Sequence, residues 1–292
     1  MNKETKVEKY IISMGVKGFS ATTIRNYKYI INDFLKKYKT PDEKSVENYL
    51  MNKKNITKNS RATQVRILRS FGKFLQKELK TNFLLPEAPR TGKTLPIFLT
   101  KKEVNEIFLS ASTNLRDLAI ISFIIYTGVR VSELVNIKTE DINLEDMVVR
   151  IKGKGDKERF VPITSELAMI VERYISSKKF DSDYLFLSKY NKKLTPLSIQ
   201  LIVKKYASKA LLKKRVTPHK LRHTFATLAL ESGVSPITIS ELLGHSSLNT
   251  TMKYTHVTSK LTEDAVKKIA ELTNLSGMLN GVLAKNEQKI KE

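Results

Sequence analysis

The chain has 292 residues, 41% of them hydrophobic, which is enough for two ordinary globular domains and excludes a disordered tail. Its formal net charge is +23, so we expect a polyanionic partner, with nucleic acid as the leading candidate and a generic basic surface as the alternative. It has no cysteine, which excludes disulfides, a thiolate nucleophile and a cysteine-based metal site.

The first 82 residues carry four runs of apolar residues at helical spacing, and these predict a small bundle of amphipathic helices. The first helix is predicted to end at Gly18 and to turn Val7, Ile11, Ile12 and Val16 toward the core. The next three helices are predicted to begin at Ser20, at Thr40 with Pro41, and near Ser60.

Positive charge is concentrated in this N-terminal segment. It holds 19 Lys and Arg against 7 Asp and Glu, a net charge of +12, whereas the rest of the chain has 33 against 22, or +11. Crowded like charges require a counter-charge, so we expect a surface that grips a DNA backbone; for any one residue, a solvated helix face is the alternative. The candidate DNA-binding residues, all on the fourth helix, are Arg61, Arg66, Arg69 and Lys73.

A linker and a second domain are predicted next. Residues 83–96 contain three prolines and one glycine, a composition typical of a linker. Thr100 and Glu103 form a capping-box pattern, and the apolar run LRDLAIISFIIYTG predicts a helix that ends at Gly128.

Short β-type runs follow. MVVRI (147–151) and RFVPI (159–163) flank the charged turn KGKGDKE and predict a β-hairpin, and YLFL (184–187) predicts a further short strand. The predicted fold class is therefore mainly α with a small β-hairpin or sheet. Later helices are predicted near Thr195, at Pro218, at Ser235 with Pro236, and over about 259–272.

All four histidines lie within residues 217–257, which points to chemistry in this window. Thr217 and Pro218 are good first residues of a helix, so His219 and Arg222 would lie on one face at its N-terminal end. That end offers free N–H groups to a phosphate, and an arginine fork binds two phosphate oxygens. The alternative is an ordinary surface pair.

Two further candidates follow in the same window. Gly244 is predicted to end a helix and so to place His245 in a turn, with Tyr254 on the next helix. A core aromatic is the alternative for Tyr254. Upstream, Arg130 follows the helix end at Gly128, with Glu133 three residues on to orient it or to form a structural ion pair.

The chemistry open to these residues is limited. No carboxylate triplet has metal-binding spacing and no nucleotide-binding glycine loop is present, so we expect no metal and no cofactor. Arginine, histidine and lysine donors suit a pentacovalent phosphorane, with tyrosine as the available nucleophile. A phosphotyrosine link keeps the energy of the broken phosphodiester, so strand exchange or relaxation is expected and net hydrolysis is not.

The segments TGVRVSEL, IKGKGDKERFVPI, TPHKLRHTFAT and LLGHSSLNTTMKYTHV together resemble the tyrosine site-specific recombinases of the phage integrase family, and among them the Xer type, including its archaeal members. The resemblance implies a two-domain, C-shaped clamp around double-stranded DNA and a tetramer in the synaptic complex. It assigns 1–82 to a helical core-binding domain, 83–96 to a linker, 97–273 to an α+β catalytic domain, and 274–292 to a tail that docks on a neighbouring subunit.

The resemblance also implies a role for each candidate. Arg130 and Arg222 would clamp the scissile phosphate, while His219 and His245 would contact its oxygens. Lys154, favoured over Lys157 by its GKG context, would protonate the departing 5′ oxygen. Tyr254 would attack to give a 3′-phosphotyrosyl link.

The compact size favours chromosome dimer resolution at a dif-like site, with a mobile-element or phage integrase as the alternative. A type IB-like topoisomerase and an inactive DNA-binding relative are disfavoured by the basic N-terminal bundle and the intact residue set. The chain shows no apolar run long enough for a membrane span and no signal-peptide core, so we expect a cytoplasmic protein without a membrane partner.

Overall fold

The computed structural model describes residues 3–53, 55–89, 97–153, 158–178, 182–244, 264–268 and 271. The chain divides into two compact units, Met1–Thr94 and Leu95–Glu292. The described residues are mostly helical with one small three-stranded sheet, which confirms the predicted fold class. The functional assignment of the four segments with boundaries at 82, 96 and 273 stays a prediction.

The first unit contains the four predicted helices. Ser20 caps the second as predicted, since its side chain accepts a hydrogen bond from the Thr23 backbone. The predicted start of the third at Thr40 with Pro41 is wrong, because Asp42 caps that helix and accepts from the Ser45 amide at 2.9 Å. The helices are α1 (Lys3–Val16), α2 (Ala21–Leu35), α3 (Glu43–Met51) and α4 (Lys58–Leu79).

The buried face of α1 differs in part from the prediction. Val7 is buried and Ile11 packs at the margin of the core, but Ile12 and Val16 are 65% and 84% exposed. At about 100° per residue, these two lie roughly 140° and 180° around the helix from Val7. Tyr10 is buried in the core instead of Ile12 and Val16, and its ring lies 5.3 Å from that of Phe71.

The second unit is built around α6, in which every residue from Asp117 to Thr127 is buried. The capping box of Thr100 and Glu103 is confirmed, and Gly128 ends α6 in the left-handed conformation as predicted. The helix α8 was not predicted. The helices are α5 (Lys101–Ala111), α6 (Leu115–Thr127), α7 (Val131–Leu134), α8 (Ser165–Ser176), α9 (Pro196–Lys209), α10 (Pro218–Glu231) and α11 (Pro236–Leu243), and residues 264–268 are also helical.

A membrane span requires about 20 apolar residues. The most buried helix, α6, is only 13 residues long. Among the helices that the structure describes, none is both long and apolar enough to cross a bilayer.

The predicted hairpin is confirmed and extended by one strand. The strands β1 (Ile142–Asn143), β2 (Val148–Lys152) and β3 (Glu158–Pro162) form an antiparallel sheet in that order. Ile151 pairs with Arg159, and both lie on the face that packs against the core, whereas Phe160 is 68% exposed. The hairpin therefore turns an arginine inward and a phenylalanine outward.

The predicted strand at 184–187 is wrong. Tyr184 and Leu187 make only isolated bridges, to Lys138 and Lys193. The segment is apolar because Leu185 and Phe186 are buried in the core and not because it pairs in a sheet.

Candidate active site

The N-terminal end of α10 carries two of the predicted site residues. Thr217 caps this helix, as predicted, by accepting from the Lys220 amide. His219 is exposed and lines an open cleft of about 870 Å³, whereas Arg222, one turn later, is only 8% exposed. Arg130 lines the same cleft, so the structure brings together two predicted site residues that lie 89 positions apart in the sequence.

Arg130 is held by Glu133 at two points. The Arg130 amide donates to Oε2 of Glu133 at 3.0 Å, and Nη1 of Arg130 donates to Oε1 at 2.8 Å. Because Glu133 is buried, both its own position and that of the arginine are fixed. Glu133 therefore orients Arg130, one of the two roles that the sequence left open.

The guanidinium groups of both arginines bind the carboxyl end of α11. Arg222 donates from Nη1 to the Gly128 carbonyl and from Nη2 to the Leu243 carbonyl at 2.7 Å. Nη2 of Arg130 donates to the next carbonyl, that of Gly244, at 3.0 Å. Helix ends leave such carbonyls without partners, and here two arginines satisfy them. Each η nitrogen has two hydrogens, so further donors remain on both side chains.

A third arginine, Arg159 on β3, was not predicted to belong to this site. Its Nε donates to the Leu242 carbonyl at 3.0 Å, and its Nη2 lies 2.9 Å from Oε2 of Glu133. One signal in the sequence could have revealed it. In the alternating strand, Arg159 shares the face of the buried Val161, an unusual place for a charge unless it has a partner.

The charges of this cluster are strongly coupled. Burial, together with the nearby positive charges of Arg130 and Arg159, lowers the pKa of Arg222 to about 10. Burial alone would raise the pKa of Glu133, but hydrogen bonds from Arg159 and Arg130 hold it below its usual value. Two arginines contact the Glu133 carboxylate and Arg222 lies nearby, and the surplus positive charge of the cluster suits a phosphate group.

Gly128 is required where α6 ends. Its φ is +60°, and an added Cβ would lie 2.6 Å from side-chain atoms of both Leu243 and Phe225. The same residue supplies the carbonyl that Arg222 binds. A side chain here would therefore disturb both the core and the arginine.

We expect Gly128→Ala to lower the free energy of unfolding by about 2–4 kcal/mol, from left-handed backbone strain plus overpacking. Urea unfolding measures this. Gly233 is the matched control, because its φ is +77° but nothing lies within 4 Å of an added Cβ, so Gly233→Ala isolates the backbone cost. Equal losses in the two variants would contradict the packing argument.

The candidate DNA-binding residues on α4 divide into two groups. Arg66 and Lys73 are exposed, whereas Arg61 and Arg69 are half-buried. Nη1 of Arg69 donates to the Pro86 carbonyl at 3.2 Å, so this arginine holds the segment that follows the bundle. Arg66 and Lys73 are the members free to contact a ligand on the outer face of the helix.

Four of the predicted residues fall outside the part of the chain that the structure describes: Lys154, its alternative Lys157, His245 and Tyr254. Gly244, whose carbonyl Arg130 binds, directly precedes His245 in sequence. Gly244 ends α11 in the left-handed conformation, as predicted. Over the described ranges, the structure shows no group of three or more His, Cys, Asp or Glu residues that could hold a metal ion.

Comparison with known proteins identifies the family to which the chain belongs. Residues 97–260 match the model of the phage integrase family. The chain belongs to the phage integrase family. It is 37% identical over 277 residues to tyrosine recombinase XerA of Pyrococcus horikoshii, covering 93% of this chain and 95% of that protein. It is 32% identical over 277 residues to tyrosine recombinase XerD of Listeria innocua, covering 86% and 93%.

Solved structures agree. A crystal structure of XerA recombinase, 28% identical, covers 92% of this chain and is itself covered to 98%, with a TM-score of 0.51. A lambda integrase tetramer bound to a Holliday junction, 17% identical, shares the fold with a TM-score of 0.68 over 86% of this chain and 79% of that one. The chain is therefore a site-specific tyrosine recombinase of the Xer type, an enzyme that breaks and rejoins DNA with a tyrosine nucleophile.

Proposed function

We propose that this phage integrase family member cleaves duplex DNA by attack of Tyr254 on a phosphate held by Arg130 and Arg222. The observation that carries the proposal is the placement of both guanidiniums side by side on consecutive carbonyls of α11. Preorganised donors of this kind stabilise the charge that develops in a transition state, since they need no reorganisation during the reaction.

The proposed step balances as follows. The Tyr254 oxygen forms a bond to phosphorus as the bond from phosphorus to the 5′ oxygen breaks. His219 accepts the tyrosine proton, Lys154 supplies a proton to the departing 5′ oxygen, and His245 donates a hydrogen bond to the phosphate. The products are a 3′-phosphotyrosyl link and a free 5′ hydroxyl. Rejoining is the reverse of this step and needs no cofactor.

The substrate we propose is a dif-like site, and the biological role is resolution of chromosome dimers in the cytoplasm. Two findings support it: the Xer relatives cover nearly the whole chain, and the fold matches XerH recombinase bound to a difH substrate, 22% identical, with a TM-score of 0.64 over 89% of this chain and 82% of that one. We also propose a tetramer on DNA, with the 274–292 tail docked on a neighbouring subunit. The lambda integrase tetramer of similar fold supports that assembly.

The exposed cations of α4 are proposed to contact DNA phosphates. Replacing Arg66 and Lys73 together with alanine should weaken binding to all duplexes alike and reduce the slope of log affinity against log salt by roughly 2. Fluorescence anisotropy over a salt series measures this slope. Lys37 and Lys39 provide a control that removes the same charge from exposed positions after α2. An equal change in slope for both pairs would contradict a specific contact surface.

The experiment that tests the proposed function uses a nicked suicide duplex carrying a candidate dif-like site from the same genome. Cleavage next to the nick releases a short fragment that carries the free 5′ hydroxyl, so rejoining is prevented and a covalent complex accumulates that survives SDS. We expect an adduct on Tyr254 through a 3′ phosphate, identified by peptide mass. An adduct formed only on a mobile-element attachment site would replace the proposed chromosomal role with integration. No adduct on either duplex would refute the proposal.

A further inference from the structure

Arg159 lies where three elements meet. It is the second residue of β3 and follows Lys154 by five residues in the sequence. Its guanidinium binds Glu133, with Nη1 donating to Oε1 at 3.2 Å and Nη2 donating to Oε2 at 2.9 Å. Glu133 in turn holds Arg130. Its Nε donates to Leu242 on α11. One side chain therefore links the hairpin, α7 and the helix that leads to His245.

We propose that Arg159 is a positioning residue for strand cleavage: it acts through Glu133 and α11 to fix Arg130 and the carboxyl end of α11. This inference rests on the proposed function of the arginine pair. It assigns no contact between Arg159 and DNA.

The charges explain how Arg159 would act on Arg130. Glu133 is 5% exposed and makes a paired contact with the Arg159 guanidinium. A buried carboxylate that loses such a partner must find another cation or take up a proton. Either change alters the hydrogen bonds that Glu133 makes to the amide and to Nη1 of Arg130. The orientation of Arg130 therefore depends on Arg159.

Arg159 also affects the site through its contact with α11. Arg159, Arg222 and Arg130 bind the three consecutive carbonyls of Leu242, Leu243 and Gly244. Removing the first of these contacts frees the last turn of α11, on which both other arginines depend. The guanidinium of Arg159 also fills the space beside Gly244, at 3.0 Å from where a Cβ would stand.

Arg150 offers a matched control on the neighbouring strand. It also pairs with a buried acid, since Nη2 lies 2.7 Å from Oδ1 of Asp141, which is 5% exposed. Its ion pairs join β2 to the turn that precedes β1, with Glu140 as the second partner at 4.0 Å. Arg150→Ala thus removes an equivalent sheet ion pair but leaves Glu133 and α11 intact.

The test measures the single-turnover rate constant of cleavage on the suicide duplex at saturating protein, together with the dissociation constant for DNA. We expect Arg159→Ala to lower the rate constant about 10- to 100-fold, a typical cost of misplaced catalytic groups, with little change in affinity. Arg159→Lys should recover part of the rate, because it keeps the charge beside Glu133. Arg150→Ala should stay within about twofold of the wild type, as for substitutions remote from a site.

A purely structural role predicts a different result. Arg159→Ala would then lower the melting temperature or the fraction of active protein, which reduces the amplitude of cleavage, while the rate constant of the folded molecules stays that of the wild type. That outcome would overturn the proposal.

Hydrogen–deuterium exchange of the protein without DNA tests the positioning role of Arg159 independently of whether the proposed cleavage reaction occurs. Peptides spanning 236–244 should exchange faster in Arg159→Ala than in the wild type or Arg150→Ala. Wild-type protein that forms no adduct would refute the proposed function, whereas unchanged exchange over 236–244 would refute the positioning role of Arg159.

Discussion

Tyr254→Phe is expected to bind the recombination site with wild-type affinity and to form no covalent adduct. The substitution keeps the aromatic ring and removes only the hydroxyl oxygen that would bond to phosphorus. The measurement compares SDS-resistant complex on the suicide duplex with binding of the intact duplex by anisotropy. Loss of the adduct with retained binding would show that chemistry, and not recognition, has been removed.

The matched control is Tyr190→Phe, because Tyr190 is the same residue type and is 72% exposed. It should form adduct at the wild-type rate. A trapped adduct in Tyr254→Phe would refute the assignment of the nucleophile, and peptide mapping of that adduct would identify the residue that acts instead.

Arg222→Ala has the second largest expected effect, a loss of about 10²- to 10³-fold in the single-turnover rate of cleavage. The substitution removes the guanidinium proposed to hold the scissile phosphate, and it also leaves the carbonyls of Gly128 and Leu243 without their donor. Arg222→Lys restores a charge but not the planar fork, so it should recover only a small part of the rate.

The control for this series is His223→Ala, the neighbouring residue on α10, which is exposed. It should cleave at the wild-type rate, which would show that the effect of Arg222 does not come from damage to the helix. Near-wild-type cleavage by Arg222→Ala would remove this arginine from the catalytic set, whatever the cost to stability.

The features that could be predicted from the sequence are those decided by neighbouring residues. The capping box of Thr100 and Glu103, the glycine ends at Gly128 and Gly244, and the cap at Thr217 depend on contacts within four residues along the chain. A local pattern contains such contacts in full.

Two of the errors arose where distant residues decide the outcome. Leu185 and Phe186 look like a strand, but they are apolar because of the core around them. Arg159 was missed because its partners, Glu133 and Leu242, are 26 and 83 residues away. The difference on α1 is local: Ile12 and Val16 are hydrophobic, but their angle around the helix turns them away from the core.

The arginines at the end of α11 have a consequence for which state of the reaction this protein favours. Three guanidiniums and one carboxylate leave a charge of +2, and the negative pole of a helix offsets roughly half a unit of it. A phosphodiester carries one negative charge and a pentacovalent phosphorane carries two. With the scissile phosphate held here as proposed, the site carries about +0.5 with the intact strand and about −0.5 with the phosphorane. The residual charge of about +1.5 stabilises two negative charges more than one, so the phosphorane gains more than the bound strand, and this difference lowers the barrier.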